Sequence, residues 1–167
     1  MRKKKNHHFE TKVIHAGQKS DPTTGAVMTP IVLASTFEQS SPGVHKGYDY
    51  SRSINPTREA FENCIADLEN GYKGYGFSSG VAAISACVEL LSPGDHIIAM
   101  DDLYGGSVRL FNEIKSLSQG IEISYVDMTD TNNIKNAIKA STKMIFVETP
   151  TNPCLLYTSD AADDPAS

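Results

Sequence analysis

The run Tyr75-Gly76-Phe77-Ser78-Ser79-Gly80-Val81-Ala82-Ala83 combines residue types that can hold an anion. An apolar, glycine-containing stretch enters a Ser-Ser-Gly turn, and a small-residue segment of helical period leaves it. A helix that starts on such a turn points unpaired backbone N–H groups outward, with the positive end of its dipole behind them. That arrangement suits a phosphate. Ser79 can cap the helix or donate its hydroxyl, and Gly80 can take a positive φ and let an anion approach the backbone. The same run also reads as the capped start of a core helix that binds nothing, so its neighbours decide. Tyr50-Ser51-Arg52 is one neighbour. In an extended segment residues two apart point the same way, so Tyr50 and Arg52 face one side. A phenol beside a guanidinium fork suits a phosphate, although an isolated pair of this kind is as readily surface decoration. Tyr104, in Asp101-Asp102-Leu103-Tyr104-Gly105-Gly106, can stack on a planar ring or pack on a helix end. Asn152, between Pro150 and Pro153, can hydrogen-bond a ring substituent or simply make a turn. Taken together they point to a phosphorylated, flat aromatic cofactor.

These residues need a frame that brings them to one place. After residue 74 the chain alternates. A strand is expected at 75–77, followed by a helix over 81–91 with Val81, Ile84, Val88 and Leu91 on one face. Ser92-Pro93-Gly94-Asp95 is a turn. A strand at 96–100, a helix at 107–117 with Phe111, Ile114 and Leu117 inward, and a stop at Gly120 come next. A strand at 121–126, a helix at 131–140 and a strand at 144–147 complete the pattern. Such alternation means βαβ units and a mostly parallel sheet, an α/β fold. Ligands then sit outside the carboxyl ends of the strands, which is where Ser79, Tyr104, Asp127, Glu148 and Asn152 fall. Residues 1–55 read instead as an irregular arm, with 31–37 its only candidate strand, lying over another surface such as a second subunit. Between arm and sheet, Asn55 caps a helix that opens on Pro56. Phe61, Cys64, Ile65 and Leu68 form its inward face, and Gly71 is its left-handed cap.

Composition narrows the function classes. The net charge of −5 over 167 residues lacks the basic excess that nucleic acid requires. Three cysteines without CxxC spacing imply no disulfide framework and fit a reducing cytosol, with Cys64 and Cys87 expected in the core. The histidines at 7, 8, 15, 45 and 96 have no metal-ligand spacing. No apolar run reaches the length of a membrane span, and Arg2-Lys3-Lys4-Lys5 lacks the apolar region of a signal peptide.

Tyr50-Ser51-Arg52, Asn55-Pro56-Thr57-Arg58, Ser78-Ser79-Gly80-Val81-Ala82-Ala83, Asp101-Asp102-Leu103-Tyr104-Gly105-Gly106 and Glu148-Thr149-Pro150-Thr151-Asn152-Pro153 occur in the order and spacing of the Cys/Met-metabolism family of pyridoxal-phosphate enzymes, which the chain resembles from about Thr11 to Pro153. Within that family the chain resembles cystathionine γ-lyases and γ-synthases. The resemblance implies the type I, aspartate-aminotransferase-like α/β fold, present here only in part: an N-terminal arm over 1–55 and the first part of the large cofactor-binding domain over 56–153. It implies pyridoxal 5′-phosphate as cofactor, with Ser79, Gly80 and Val81 on its phosphate, Tyr104 stacked on its ring, and Asn152 on the 3-hydroxyl oxygen. Tyr50 and Arg52 would reach a neighbouring subunit's phosphate, within dimers paired into tetramers. The expected activity is cystathionine γ-lyase-like elimination, with γ-synthase and β-lyase as alternatives, in a cytoplasmic enzyme acting on a sulfur amino acid. Methionine γ-lyases typically carry a cysteine where this chain has Gly106.

Two departures qualify the resemblance. The family's Schiff-base lysine and the aspartate that pairs with the ring nitrogen come from beyond the position of Pro153, and neither motif is present. The 167-residue chain is therefore expected to be catalytically inactive. After Pro153 the sequence shows neither a helical apolar face nor strand alternation, and 154–167 is expected to be a non-native tail. Two other classes compete. An inactive binding fragment is one. A nicotinamide-dependent oxidoreductase is the other, but Gly74-Tyr75-Gly76-Phe77-Ser78-Ser79 lacks the third glycine of a dinucleotide fingerprint, and no Gly-Lys-Ser/Thr follows to make a P-loop.

Overall fold

The computed structural model describes residues 7–158; the basic head and the tail from Ser159 onward lie outside them. The chain forms two compact units that divide between Gly76 and Phe77.

The first unit holds α1 (Phe9–His15), β1 (Gln39–Ser41), β2 (Val44–His45) and α2 (Pro56–Leu68). The region expected to carry one strand thus has a helix and a short antiparallel hairpin instead. The chain at 31–37 is not a strand. It makes one bridge, Thr36 to Tyr50, with Phe37 N donating to Asp49 O at 3.0 Å and Ser51 N to Ser35 O at 2.8 Å. The reason lies in α2: Val32 N donates to Thr57 Oγ1 at 2.9 Å, so this backbone is satisfied by a helix start rather than by a partner strand. α2 begins as expected. Asn55 is extended, and its side chain accepts from Thr57 N at 2.9 Å and Arg58 N at 3.4 Å. It ends differently. Asn70, not Gly71, takes the left-handed conformation, at φ 52°, while Gly71 N donates to Ala66 O at 2.7 Å. Asparagine tolerates that region, and α2 stops at Leu68. Gly17, at φ +71°, lies against α2 so closely that a Cβ there would be 2.1 Å from Ala60 O. The expected inward face of α2 is only partly covered. Ala66 is buried and Cys64 and Leu68 are half-buried, but Phe61 and Ile65 are exposed.

The second unit holds α3 (Gly80–Val88), β3 (His96–Met100), α4 (Gly105–Arg109), a π-helical turn (Leu110–Lys115), α5 (Ser116–Gln119), β4 (Glu122–Val126), α6 (Thr131–Ala137) and β5 (Thr142–Phe146). The sheet is parallel, in the order β4-β3-β5. β3 is central and all five of its residues are buried, which explains its unbroken apolar run after His96. Around it pack Val88, Leu103, Leu110, Phe111, Ile121 and Met128, with Phe111 edge-on to Phe146 at 5.2 Å. Residues 75–77 make no strand: Gly76 N is taken by Glu62 Oε1 at 2.8 Å, and Tyr75 and Phe77 are exposed. Cys87 is also exposed, with Val88 beside it taking the core position.

The helix expected at 107–117 departs most. Gly120 ends it in the left-handed conformation, at φ 66°, as expected. The π turn, however, closes hydrogen bonds one residue further along than an α turn and rotates the inward face. Ser107, Phe111 and Lys115, four residues apart, are buried together with Leu110, whereas Ile114 and Leu117 are 52 % and 80 % exposed. Lys115 is buried and ion-paired with Glu89. No helix among the described residues is long and apolar enough to cross a membrane.

Candidate cofactor site

The start of α3 has the geometry its sequence suggests. Ser79 is extended, at φ −159° and ψ 160°, and its hydroxyl oxygen accepts from Ala82 N at 3.1 Å, with Ala83 N bonded to Ser79 O. The cap satisfies one orphan donor of the first turn, and the Ala83 bond is the first of the helix itself. The N–H groups of Gly80 and Val81 have no acceptor among the described residues. Gly80 does not take a positive φ, because it is already the first residue of the helix; a Cβ there would meet nothing within 4 Å, so the approach to these two donors is open. Two unpaired N–H groups and a glycine at the positive end of a nine-residue helix fit a phosphate.

α3 packs against α4, which begins on the loop after β3. The parallel register pairs Met100 with Val126 and Ala99 with Phe146, so the loops after β3, β4 and β5 leave the sheet at one end. In the first, Tyr104 is half-exposed and its backbone N donates to Glu148 Oε2 at 3.1 Å. Its ring lies over Gly106, where a Cβ would be 2.4 Å from Cε1. Any side chain at 106 displaces the ring. Asp102 ties this loop to the one after β5: Thr151 Oγ1 donates to Asp102 Oδ2, and Cys154 N donates to the same oxygen at 3.2 Å. Thr151 is fully buried, and its hydroxyl oxygen also accepts from Leu156 N at 2.8 Å. The Thr151 hydroxyl holds the Asp102 carboxyl below its ordinary value. Asn152, next in the chain, is exposed, and its amide has no hydrogen-bond partner among the described residues. A free amide and an uncovered aromatic face, on loops locked to each other, fit a planar ring with a polar substituent. Asp127, after β4, is engaged in its own turn, accepting from Thr129 Oγ1 at 2.6 Å and Thr129 N at 2.9 Å; the hydroxyl is the main cause of its lowered pKa.

Tyr50 and Arg52 belong to the first unit and do stand together, with Arg52 Cζ 5.2 Å from the Tyr50 ring centroid. The cause is not the expected extended geometry. Residues 51–53 form a turn in which Ser53 N and Ile54 N both donate to Tyr50 O, at 3.0 and 3.1 Å, and the turn folds the guanidinium back beside the ring. A cleft of about 420 Å³ in the same unit, lined by Pro22, Tyr48 and Glu59 among others, includes none of the candidate residues.

Four residues without an assigned role in the sequence reading support these groups: Arg58 and, in the loops, Asp102, Glu148 and Thr151. Each sits inside a motif that the sequence reading singled out. Their acceptors and donors lie 44 to 49 residues away for the loop pairs, and no local pattern encodes a partner at that distance.

The family model described as Cys/Met metabolism PLP-dependent enzyme matches residues 10–162. A cystathionine β-lyase of Coxiella burnetii is 59 % identical over 151 residues, which is 90 % of this chain and 39 % of that protein. A cystathionine γ-lyase of Dictyostelium discoideum is 47 % identical, covering 93 % of this chain and 40 % of its own length. Among solved structures, a cystathionine γ-lyase from Lactobacillus plantarum complexed with L-serine superposes with a TM-score of 0.88 at 47 % identity, over 93 % of this chain and 40 % of that one. The chain thus spans about two fifths of the length of the curated relatives it matches.

Proposed function

The chain belongs to the Cys/Met-metabolism family of pyridoxal-phosphate-dependent enzymes, and we propose that in the full-length protein it builds the phosphate and ring subsites of a cystathionine γ-lyase-like enzyme. The observation that carries this reading is the open start of α3, with the N–H groups of Gly80 and Val81 unpaired beside the Ser79 cap. Ser79, Gly80 and Val81 hold the phosphate; Tyr104 covers one face of the ring; Asn152 donates its amide to the ring's 3-hydroxyl oxygen. When bound, pyridoxal phosphate supplies an electron sink for bonds at the amino acid's α carbon. The chain's own part is to fix the plane of the ring and exclude water from the Tyr104 face. Tyr50 and Arg52, on the arm over 1–55, serve the phosphate of a second subunit in a homodimer or homotetramer. Residues 56–153 are the corresponding first part of the large domain, in a cytoplasmic protein. The 167-residue chain alone is inactive, because no lysine stands on the loops that carry the site.

The test is to supply cystathionine to the full-length protein and identify both fragments. Cleavage of the γ-carbon–sulfur bond gives cysteine, 2-oxobutyrate and ammonia. Cleavage of the β-carbon–sulfur bond gives homocysteine, pyruvate and ammonia. The first pair is expected. The second is the outcome of the β-lyase reading, favoured by the 59 % identity to a protein of that name. Turnover without added pyridoxal phosphate, in protein free of it, would exclude both.

A further inference from the structure

Arg58, in the first unit, makes three side-chain hydrogen bonds and an ion pair, none of them to a group assigned to the cofactor. It lies on the first turn of α2 and reaches back to the turn that carries Arg52. Its Nη1 donates to Ser51 O at 3.2 Å and to Arg52 O at 3.5 Å, and its Nη2 donates to Ser53 O at 2.7 Å. Its Nε faces Glu62 Oε1 at 3.2 Å, one helical turn on. Glu62 Oε1 in turn accepts from Gly76 N at 2.8 Å. The pair is sheltered, with side chains 34 % and 14 % exposed. Three successive carbonyls and a carboxylate thus converge on one planar guanidinium. Five fixed donors can meet four acceptors in that layout, whereas an ammonium with three donors at a single point cannot. The rest of the Asn55-Pro56-Thr57-Arg58 motif works to the same end. Asn55 Nδ2 donates to Ser51 Oγ at 3.0 Å, and Thr57 Oγ1 to Pro30 O at 3.0 Å.

We propose that Arg58 is a positioning residue for phosphate binding: it fixes the Ser51-Arg52-Ser53 turn so that the Arg52 guanidinium stays beside Tyr50, directed at an anion rather than free in solvent. The alternative for a surface arginine is many rotamers, and the entropy of ordering one on a loop weakens any anion contact it makes. Arg58 removes that cost before the anion arrives. Its own charge is consumed by Glu62 and the carbonyls, so it does not touch the phosphate itself.

This inference rests on the reading of Tyr50 and Arg52 as phosphate ligands, and the experiment separates the two. In the full-length protein stripped of cofactor, affinities for pyridoxal phosphate and for phosphate-free pyridoxal are measured for the wild type, Arg52→Ala, Arg58→Ala, Arg58→Lys and the Arg52→Ala/Arg58→Ala double variant. Arg52→Ala should lose affinity for pyridoxal phosphate and keep it for pyridoxal; if it does not, the phosphate reading of the turn falls and the inference falls with it. Given that loss, Arg58→Ala should reproduce it, about tenfold, while leaving pyridoxal unaffected, and should add little in the Arg52→Ala background. Arg58→Lys should not rescue it, and because it keeps charge and helix propensity it carries the test if the alanine variant does not fold. Equal losses for both ligands, full additivity with Arg52→Ala, or rescue by lysine would each overturn the proposal while leaving the Arg52 reading intact.

Discussion

At Tyr104, the stacking proposed for the aromatic ring can be separated by mutation from any part played by the hydroxyl. The ring lies over Gly106 with half its surface open, and the loop is held from behind by Glu148 and Asp102. What a ring ligand gains there is stacking, worth about 0.5–1.5 kcal/mol beyond area burial. Tyr104→Ala in the full-length protein should therefore weaken pyridoxal phosphate binding by roughly 2- to 13-fold, and Tyr104→Phe much less. Equal affinities of the two variants, read by spectroscopic titration, would remove stacking as its role. The residue types could be singled out in the sequence because each proposed role rests on one side chain: a hydroxyl at Ser79, seen as the cap of α3, an amide at Asn152, a ring at Tyr104. The supports could not. The geometry of Tyr50 and Arg52 shows the limit well: their adjacency follows from a turn stapled by Arg58, not from strand alternation, so a correct pairing came from the wrong backbone.

Elements were legible where one rule governs them. β3 is apolar because it is central, and α2 starts at Pro56 because an Asn cap followed by Pro leaves few alternatives. The π turn at Leu110–Lys115 was not, since a period of 3.6 assumes uniform turns; one wide turn buries Lys115 against Glu89 and leaves Leu117 outside. The strand expected at 75–77 failed for want of a neighbour to bond, which sequence does not supply. One polar element of the sheet has a consequence for stability. His96, fully buried at the start of β3, joins all three strands, with Nδ1 2.8 Å from Thr142 Oγ1 on β5 and Nε2 2.9 Å from Ser124 Oγ on β4. Burial, reinforced by the Lys139 charge and opposed by Glu122, lowers its pKa from the ordinary 6.5. A folded pKa below the unfolded one means the unfolded chain binds the proton first, so this contribution is whole above about 6.5 and is lost as pH falls through the folded value. The urea midpoint of the chain should accordingly be flat near neutrality and decline below pH 6.5, and His96→Gln, less stable throughout, should lose the part of that decline that lies above the carboxylate range, where Asp102, Asp127 and Glu89 contribute. An identical pH dependence in both proteins would rule His96 out as its source.

For the whole molecule the question is which parts of a working site one chain can supply. Tyr50 and Arg52 sit in a unit distinct from the one carrying Ser79, Tyr104 and Asn152. If they serve a second subunit, full-length Arg52→Ala mixed with a variant damaged only at Tyr104 should regain activity in hybrid dimers, since one of the two sites is then intact; verified hybrids without recovery would sink the shared site. The lysine inventory bears on the 167-residue chain itself. A cofactor-bearing amine must lie at the carboxyl end of the sheet and lose its proton easily. Residues 101–104, 127–130 and 147–152, which leave the sheet at that end, contain no lysine. Lys115 is buried and ion-paired with Glu89, and Lys139 Nζ is 3.3 Å from Glu122 Oε2, so neither amine stands on a loop at that end of the sheet. Lys143 lies within β5, near its start, and Lys12 is bonded to Asp67 O and Asn70 Oδ1 at 3.1 and 2.9 Å in the first unit. Purified chain mixed with pyridoxal phosphate and reduced with borohydride should therefore give scattered, substoichiometric labelling on exposed amines and no cleavage of cystathionine. One lysine labelled to completion, together with turnover, would mean that a catalytic amine is reached by a route that the strand-end geometry of this fold does not provide.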